Sequence, residues 1–341
     1  MRPTSRGTAS MFAAVIGMAL IGAMLFAGVG QGSGARDQQQ IVIGYAGNLT
    51  LPILAEAQAA AIAEAKRLGV KLLLAPSNDA QTQEAAVRNL IAKNPDAISI
   101  DPWDSYAISP IIKEANARNI PVITWIGTPL AGGKVETFIA ADELKGSIAV
   151  SKYIFKRMGG TGEVGYVQGD KAHIAGAARE KGFRQALKQY PNIKLTGYGV
   201  GGWVPDKTRD LTLNMLTANP NIKAILTNYD GMSIGAASAA KTLNKKILIA
   251  GVDGECPMLS GIWKGEQTAT FDQLWEYISA LSISSAVKVV KGGTLPKRIV
   301  TPSFTIDRAA MKQIKAGKYK APKDALFHLK RQVNRAIRGC K

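Results

Sequence analysis

The chain predicts an α/β protein of two doubly wound, parallel-sheet lobes, on three observations. Short β-rich runs alternate with amphipathic segments, the pattern of βαβ units on a parallel sheet. The alternation runs twice. Finally, "NLIAKNPDAISID" from Asn89 is echoed by "NMLTANPNIKAILTN" from Asn214: in each, a helix stops before Asn-Pro and a buried strand follows, because helices seldom continue through the residue before a proline.

In the first cycle the strands are "IVIGYA" (41–46), "VKLLLA" (70–75), "AISI" (97–100) and "IPVITW" (120–125), with helices from Ile53, Ala80 and Ser105. In the second they are "EVGYVQ" (163–168), "IKLTGY" (193–198), "KAILTN" (223–228) and "ILIAGV" (247–252), each but the last followed by a long helical segment. Ahead of both, Arg2 and Arg6 precede the apolar run 11–30 and the small-residue stretch "QGSGA". That is the pattern of a secretory signal over residues 1–35, with Ser33 and Ala35 at the cleavage site; an uncleaved membrane anchor is the alternative. The mature protein is expected in the periplasm, and its about 306 residues exceed what one core usually holds.

The net charge of +18 raises the question of a nucleic-acid partner. Eleven Lys/Arg against the single acid Asp324 lie from Arg308 onward, so most of the excess is in the tail and nucleic acid is not expected as a partner. "KDALFHLKRQVNRAIRGCK" (323–341) puts Leu326, Leu329, Val333 and Ile337 on one helical face, a pattern that suits a docked helix, a solvated tail, or contact with an anionic membrane. Cys256 and Cys340 are the only cysteines; in an exported chain a single bridge and two free thiols are both open.

Motifs for catalysis are few. The glycines of "GTGEVG" (160–165) precede a strand, whereas phosphate binding needs them between a strand and a helix. "GYGVGG" (197–202) is read as a flexible loop before a helix capped by Asp206. The only histidines, His173 and His328, do not make a metal site, and no nucleophile with an orienting base is visible. No enzyme, cofactor or metal is expected.

Ligands of open α/β sheets bind beyond the carboxyl ends of the strands. Those positions hold residues 47–51, Asp101 with Trp103, Trp125, residues 168–173, Gly202 with Trp203, residues 228–230 and Asp253. Acids, amides and aromatics recur there.

In "IDPWDSYAI", "NIPVIT", "FIAAD", "AAREKGF", "NMLTANP", "NYDGMSIGA", "GVDG" and "TATFDQ", taken in this order, residues 41–306 resemble the periplasmic sugar-binding proteins of the ribose-binding type, the type I periplasmic binding proteins that serve ABC importers. The resemblance implies two lobes joined by a three-segment hinge that close on a small solute, with an ABC permease as partner and, as an alternative role, a chemoreceptor or membrane kinase. It divides the chain into an N-terminal lobe (36–141 and 274–302), a C-terminal lobe (142–273 and 303–319) and a basic tail (320–341). Carried over, it makes Arg179 a ligand-binding arginine, Asp253 a hydroxyl acceptor, Gln273 a hinge-side amide and Trp203 the ring that packs on the sugar. Asp101 and Tyr229 stand where the family has ligand-binding asparagines. Trp103 and Trp125 are read as an aromatic wall opposite Trp203, and Asn48, Thr50, His173 and Asn228 are further candidates. Ile126 and Gly127 stand where pentose binders carry an Asp-Arg pair, and Ile53 and Leu54 where paired aromatics are expected. The expected ligand is therefore a sugar, sugar alcohol or similar small polar solute other than ribose.

Overall fold

The computed structural model describes residues 40–48 and 51–340, and of Asn48 the backbone alone. Residues 1–35, expected to be a secretory signal, the Asn48 side chain and Thr50 lie outside what is described. Two six-stranded sheets carry the fold. The first is built from β1 (Val42–Asn48), β2 (Lys71–Ser77), β3 (Ala97–Ile100), β4 (Val122–Trp125), β5 (Thr137–Ala140) and β11 (Arg298–Val300), in the order β11-β5-β4-β3-β1-β2 with every pairing parallel. The second contains β6 (Gly162–Gln168), β7 (Ile193–Val200), β8 (Ile222–Thr227), β9 (Leu248–Asp253), β10 (Ala269–Asp272) and β12 (Phe304–Asp307), in the order β12-β10-β9-β8-β6-β7, with β12 an antiparallel edge. β3 and β4 are buried at every residue. Helices cover both faces of a parallel sheet, so its central strands are buried along their whole length and do not alternate.

Local chemistry sets the helix ends. α1 (Pro52–Leu68) starts with a proline, whose missing N–H costs nothing at the first helical position, and stops at Gly69, φ 69°. α2 (Ala80–Ala92) opens on an Asp79–Thr82 capping box. After α3 (Ile108–Ala117) and α4 (Glu143–Arg157), α5 (Ile174–Leu187) is capped by the imidazole Nδ1 of His173, which accepts from the Ala175 N–H at 3.2 Å. α6 (Pro205–Ala218) has Val204 at its N-cap, so Asp206 lies in the first turn and not at the cap. Residues 197–200 of the glycine stretch belong to β7 and not to a loop: a Cβ on Gly197 or Gly199 would come within 3.0 Å of Met215 or Leu211, so these glycines let α6 lie close on the sheet.

The chain passes between the sheets three times: at Ala141–Asp142, from β5 into α4; at Gln273–Leu274, from β10 into α9 (Trp275–Val290); and through residues 301–303, from β11 to β12. α9 packs on α1 and the first sheet, and α7 (Asp230–Thr242), α8 (Cys256–Lys264) and α10 (Arg308–Lys315) on the second. α11 (Lys323–Ile337) docks on α8 and α10 through Ala325, Leu329, Val333 and Ala336, and a Cys256–Cys340 disulfide pins its end. Leu329 and Val333 of the predicted apolar face are thus spent on the lobe, while Leu326 and Ile337 are half-buried. Ion pairs from Arg335 to Glu56 on α1 (2.8 Å) and from Arg331 to Glu276 on α9 carry the same helix across to the first lobe.

Candidate functional site

The two sheets point the carboxyl ends of their strands at each other, and the lobes are closed. The Ile174 N–H donates to the Ser105 Oγ at 3.4 Å, the Ile53 N–H donates to Glu255 Oε1 at 3.2 Å, and His173 Nε2 lies 3.8 Å from Asp101 Oδ1, all between lobes. Between them is a cavity of about 40 Å³.

On the C-terminal lobe the cavity is built around Arg179, placed by α5 and 2% exposed. Its Nε and Nη2 donate to the two oxygens of Glu143 at 2.8 and 3.1 Å, Nη2 also to Asp253 Oδ1 at 3.0 Å, and Nη1 to the Asn228 carbonyl at 2.7 Å. Four of its five N–H groups are therefore spent on protein, and one remains for a ligand. Burial alone would lower the arginine's proton affinity, but Asp253 and Glu143 outweigh it and raise it above the ordinary value. Glu143 is held above the carboxylate range by burial, against the pull of Arg179.

Asp253 ends β9 with φ 116°, and its Oδ1 also accepts from Gln273 Nε2 at 2.6 Å. Tyr229 donates to Glu255 Oε1 at 2.7 Å, and burial pushes Glu255 up to about 8. The Trp203 indole, at φ 67°, occupies a slot that glycine opens: a Cβ on Gly169 would come 2.4 Å from its ring and one on Gly176 3.2 Å. The slot aims the ring edge-on to His173, with centroids 5.8 Å apart, and 5.9 Å from the Arg179 guanidinium.

The N-terminal lobe furnishes mainly apolar surface: Leu51, Ile53, Leu54, Ile126 and Trp275, beside Asp101 and Trp103. Asp101 Oδ1 accepts from the Gly127 N–H at 3.2 Å, and a Cβ on Gly127 would press on the Pro102 carbonyl at 2.9 Å, so glycine is what fits there. Burial raises Asp101 above the usual carboxylate range, against the pull of His173. Gln83, which sequence reading passed over, donates to the Asp101 carbonyl and accepts from the Trp103 N–H, both at 2.7 Å, and so fixes the turn that carries the two. Ile126, Trp203, Asp253 and Leu274 all have positive φ, uncommon for residues with side chains. Such strain collects where a site over-determines the backbone.

Of the twelve sequence candidates, Asp101, Trp103, His173, Arg179, Trp203, Tyr229 and Asp253 converge on the cavity. Three stand behind the wall. Trp125 is 0% exposed, stacked on Tyr45 (5.8 Å) and edge-on to Trp275 (5.9 Å), so the wall expected from it is formed by Ile126 and Trp275. Gln273 supports Asp253, and Asn228 is spent on Arg179, Tyr166 and the Gly176 carbonyl. Asn48 and Thr50 are outside the described side chains. Sequence reading missed Trp275, although it follows a strand end by three residues, and Glu143 and Glu255, which carry no motif. Among the described residues no group of three His, Cys, Asp or Glu is placed to hold a metal.

A periplasmic binding protein domain is matched over residues 48–294. The chain belongs to the periplasmic binding protein family. It is 33% identical over 242 residues to the ribose import binding protein of Bacillus subtilis, covering 70% of this chain and 78% of that one. With the ribose import binding protein of Haemophilus influenzae the identity is 30% over 284 residues, 82% and 95% of the two chains. An ABC transporter periplasmic solute-binding protein from Actinobacillus succinogenes with bound D-allose superposes with a TM-score of 0.75 at 27% identity, over 79% and 98% of the chains. Family membership makes the chain a solute-binding protein and not an enzyme, and places it in the periplasm.

Proposed function

We propose that this protein captures a sugar, sugar alcohol or similar small polar solute between its lobes and delivers it to an ABC permease, after export directed by residues 1–35. The observation that carries the reading is the cavity itself, which the Arg179–Asp253 pair and the indoles of Trp203 and Trp275 line together. Charged groups in fixed geometry orient hydroxyls, and flat rings cover the C–H face of a sugar. Two relatives are named for ribose import, but Ile126 and Gly127 offer no side-chain partner for a ring hydroxyl. The reading therefore excludes ribose as the preferred ligand.

The test is a thermal-shift screen over neutral sugars, polyols, sugar acids and amino acids, followed by calorimetry on the hits and on Asp253→Ala. A neutral sugar or polyol that binds one to one, and loses at least about tenfold in affinity in Asp253→Ala, supports the reading. Preferential stabilisation by an amino acid or sugar acid overturns it.

A further inference from the structure

The cavity has two unlike sides, and the difference bears on the ligand's shape. Along the C-terminal side the polar groups are paired but incompletely spent: Arg179 keeps one N–H, and Asp253 has Oδ1 engaged twice while no described residue donates to its Oδ2. Asp101 is alike, its Oδ1 taken by Gly127 with His173 close by. Arg179 and Asp253 line the cavity from the C-terminal lobe and Asp101 from the other, so the three can serve hydroxyls of one small ring.

Among the described residues, the opposite side does not. Leu51, Ile53, Leu54 and Ile126 bring hydrocarbon, and their backbone donors are occupied where the structure gives them: Ile53 N–H on Glu255, Leu54 N–H on the Leu51 carbonyl at 3.0 Å, Ile126 N–H on the Ile139 carbonyl at 2.9 Å. Gly127, next in the chain, has its N–H on Asp101 and the Trp125 carbonyl. A hydroxyl pressed against this wall gives up water, and among the described lining residues of this lobe only an indole N–H and, at the wall's edge beside Gly127, the Asp101 carboxylate could meet it; where neither is reached, an unsatisfied buried polar group is penalised more than a made bond is rewarded. A hydrogen or methyl there is accommodated and adds buried apolar area.

Resting on the reading of this cleft as a sugar site, we infer that the ligand is amphipathic: a deoxy sugar, with hydroxyls along one edge toward Arg179, Asp253 and Asp101, and a methyl or methylene on the edge that meets Ile53, Leu54 and Ile126. A fully hydroxylated hexose is the poorer ligand on this geometry.

Calorimetry on the mature chain with matched pairs tests it: L-rhamnose against L-mannose, L-fucose against L-galactose, 6-deoxy-D-glucose against D-glucose, with D-ribose and D-allose alongside. In the series that binds best, the 6-deoxy member is expected to bind about ten- to a hundredfold more tightly than its parent. A parent that binds equally or more tightly, or D-ribose or D-allose outbinding every deoxy sugar, overturns the inference while leaving the sugar-site reading intact. Binding by none of these sugars overturns the deoxy-sugar inference; the wider reading falls with it only if the thermal-shift screen over polyols also finds no ligand. Ile126→Asn supplies the second arm. Asparagine tolerates the left-handed backbone found there, φ 56°, and brings an amide to the apolar wall. The variant is expected to narrow the deoxy preference at least fivefold by improving binding of the parent sugar; an unchanged ratio shows that Ile126 does not face the deoxy edge and removes the assignment of that wall.

Discussion

The two lobes have closely similar topologies and do opposite work in the cleft. The C-terminal lobe presents an ion network, Arg179 held by Glu143 and Asp253, whose members are each nearly inaccessible. The N-terminal lobe presents hydrocarbon and one carboxylate. One sheet end can be an electrostatic socket and the other a greasy wall on the same scaffold, because a parallel sheet fixes where strand ends lie but not which side chains stand there.

The comparison breaks most sharply at Arg179. Arg179→Ala leaves Glu143 and Asp253 buried without their cation, and the expected loss is on the order of 3 to 5 kcal/mol in unfolding free energy together with ligand binding, read by urea denaturation and calorimetry. Ile126→Ala, on the other lobe, is expected to cost less than half of that; equal losses would sink the contrast. The anchoring of α11 is next. Cys256→Ser with Cys340→Ser removes the tether to the C-terminal lobe and is expected to cost about 2 to 4 kcal/mol, measured against the native chain under oxidising conditions.

pH sharpens the contrast, because the buried acids pushed upward by burial include Glu255 at about 8 and Asp272 at about 7. Glu255 faces Tyr229, Asp253, Glu56 and the Ile53 N–H. A carboxyl whose folded-state value is raised binds a proton that the unfolded chain releases, so its contribution is full below about 4.5 and is lost as pH rises through about 8. The melting temperature is therefore expected to fall between pH 5 and 8, and Glu255→Gln to flatten the upper part of that fall while keeping an acceptor for Tyr229. A slope unchanged in Glu255→Gln would assign the effect elsewhere.

Smaller again are the aromatic exchanges. Trp203→Phe and Trp275→Phe should each remove part of the ligand-induced change in tryptophan emission and weaken binding by about 1 kcal/mol, whereas Trp125→Phe should leave affinity unchanged. An affinity loss in Trp125→Phe equal to that in Trp275→Phe would return Trp125 to the wall. The smallest effect is at Arg335, whose side chain is 35% exposed and pairs with Glu56. Arg335→Ala is expected to cost 1 kcal/mol or less of the closed state, about the worth of an exposed ion pair, read as a severalfold faster ligand off-rate at low salt.

How much of this was legible beforehand depends on the range of the signal. The eight strands read from apolar runs are present, because each carries its apolar signal within its own four to eight residues, the inner ones buried on both faces and the edge strands β2 and β7 only partly buried. β5, β10 and the edge strands β11 and β12 were not read as strands from periodicity, being three or four residues long, and β11 and β12 are also only partly buried. Arg179, Asp253 and Trp203 were placed by motif and strand-end position. Glu143 and Glu255 were not, since a carboxylate beside a helix start has the same letters whether it caps the helix or grips an arginine far along the chain.

What the sequence by itself determined is the alternation of strand and helix, the duplication into two lobes, and the concentration of acids and aromatics at strand ends. These follow from periodicity and turn chemistry, which act within a few residues. What only the tertiary structure decided is which of two neighbours faces the ligand. Trp125 ends β4 inside the core and Ile126, one residue later in a left-handed conformation, turns into the cavity. Successive residues of a strand point to opposite faces, so one residue of register separates a wall from a core, and only the packing of Trp125 against Tyr45 and Trp275 sets that register.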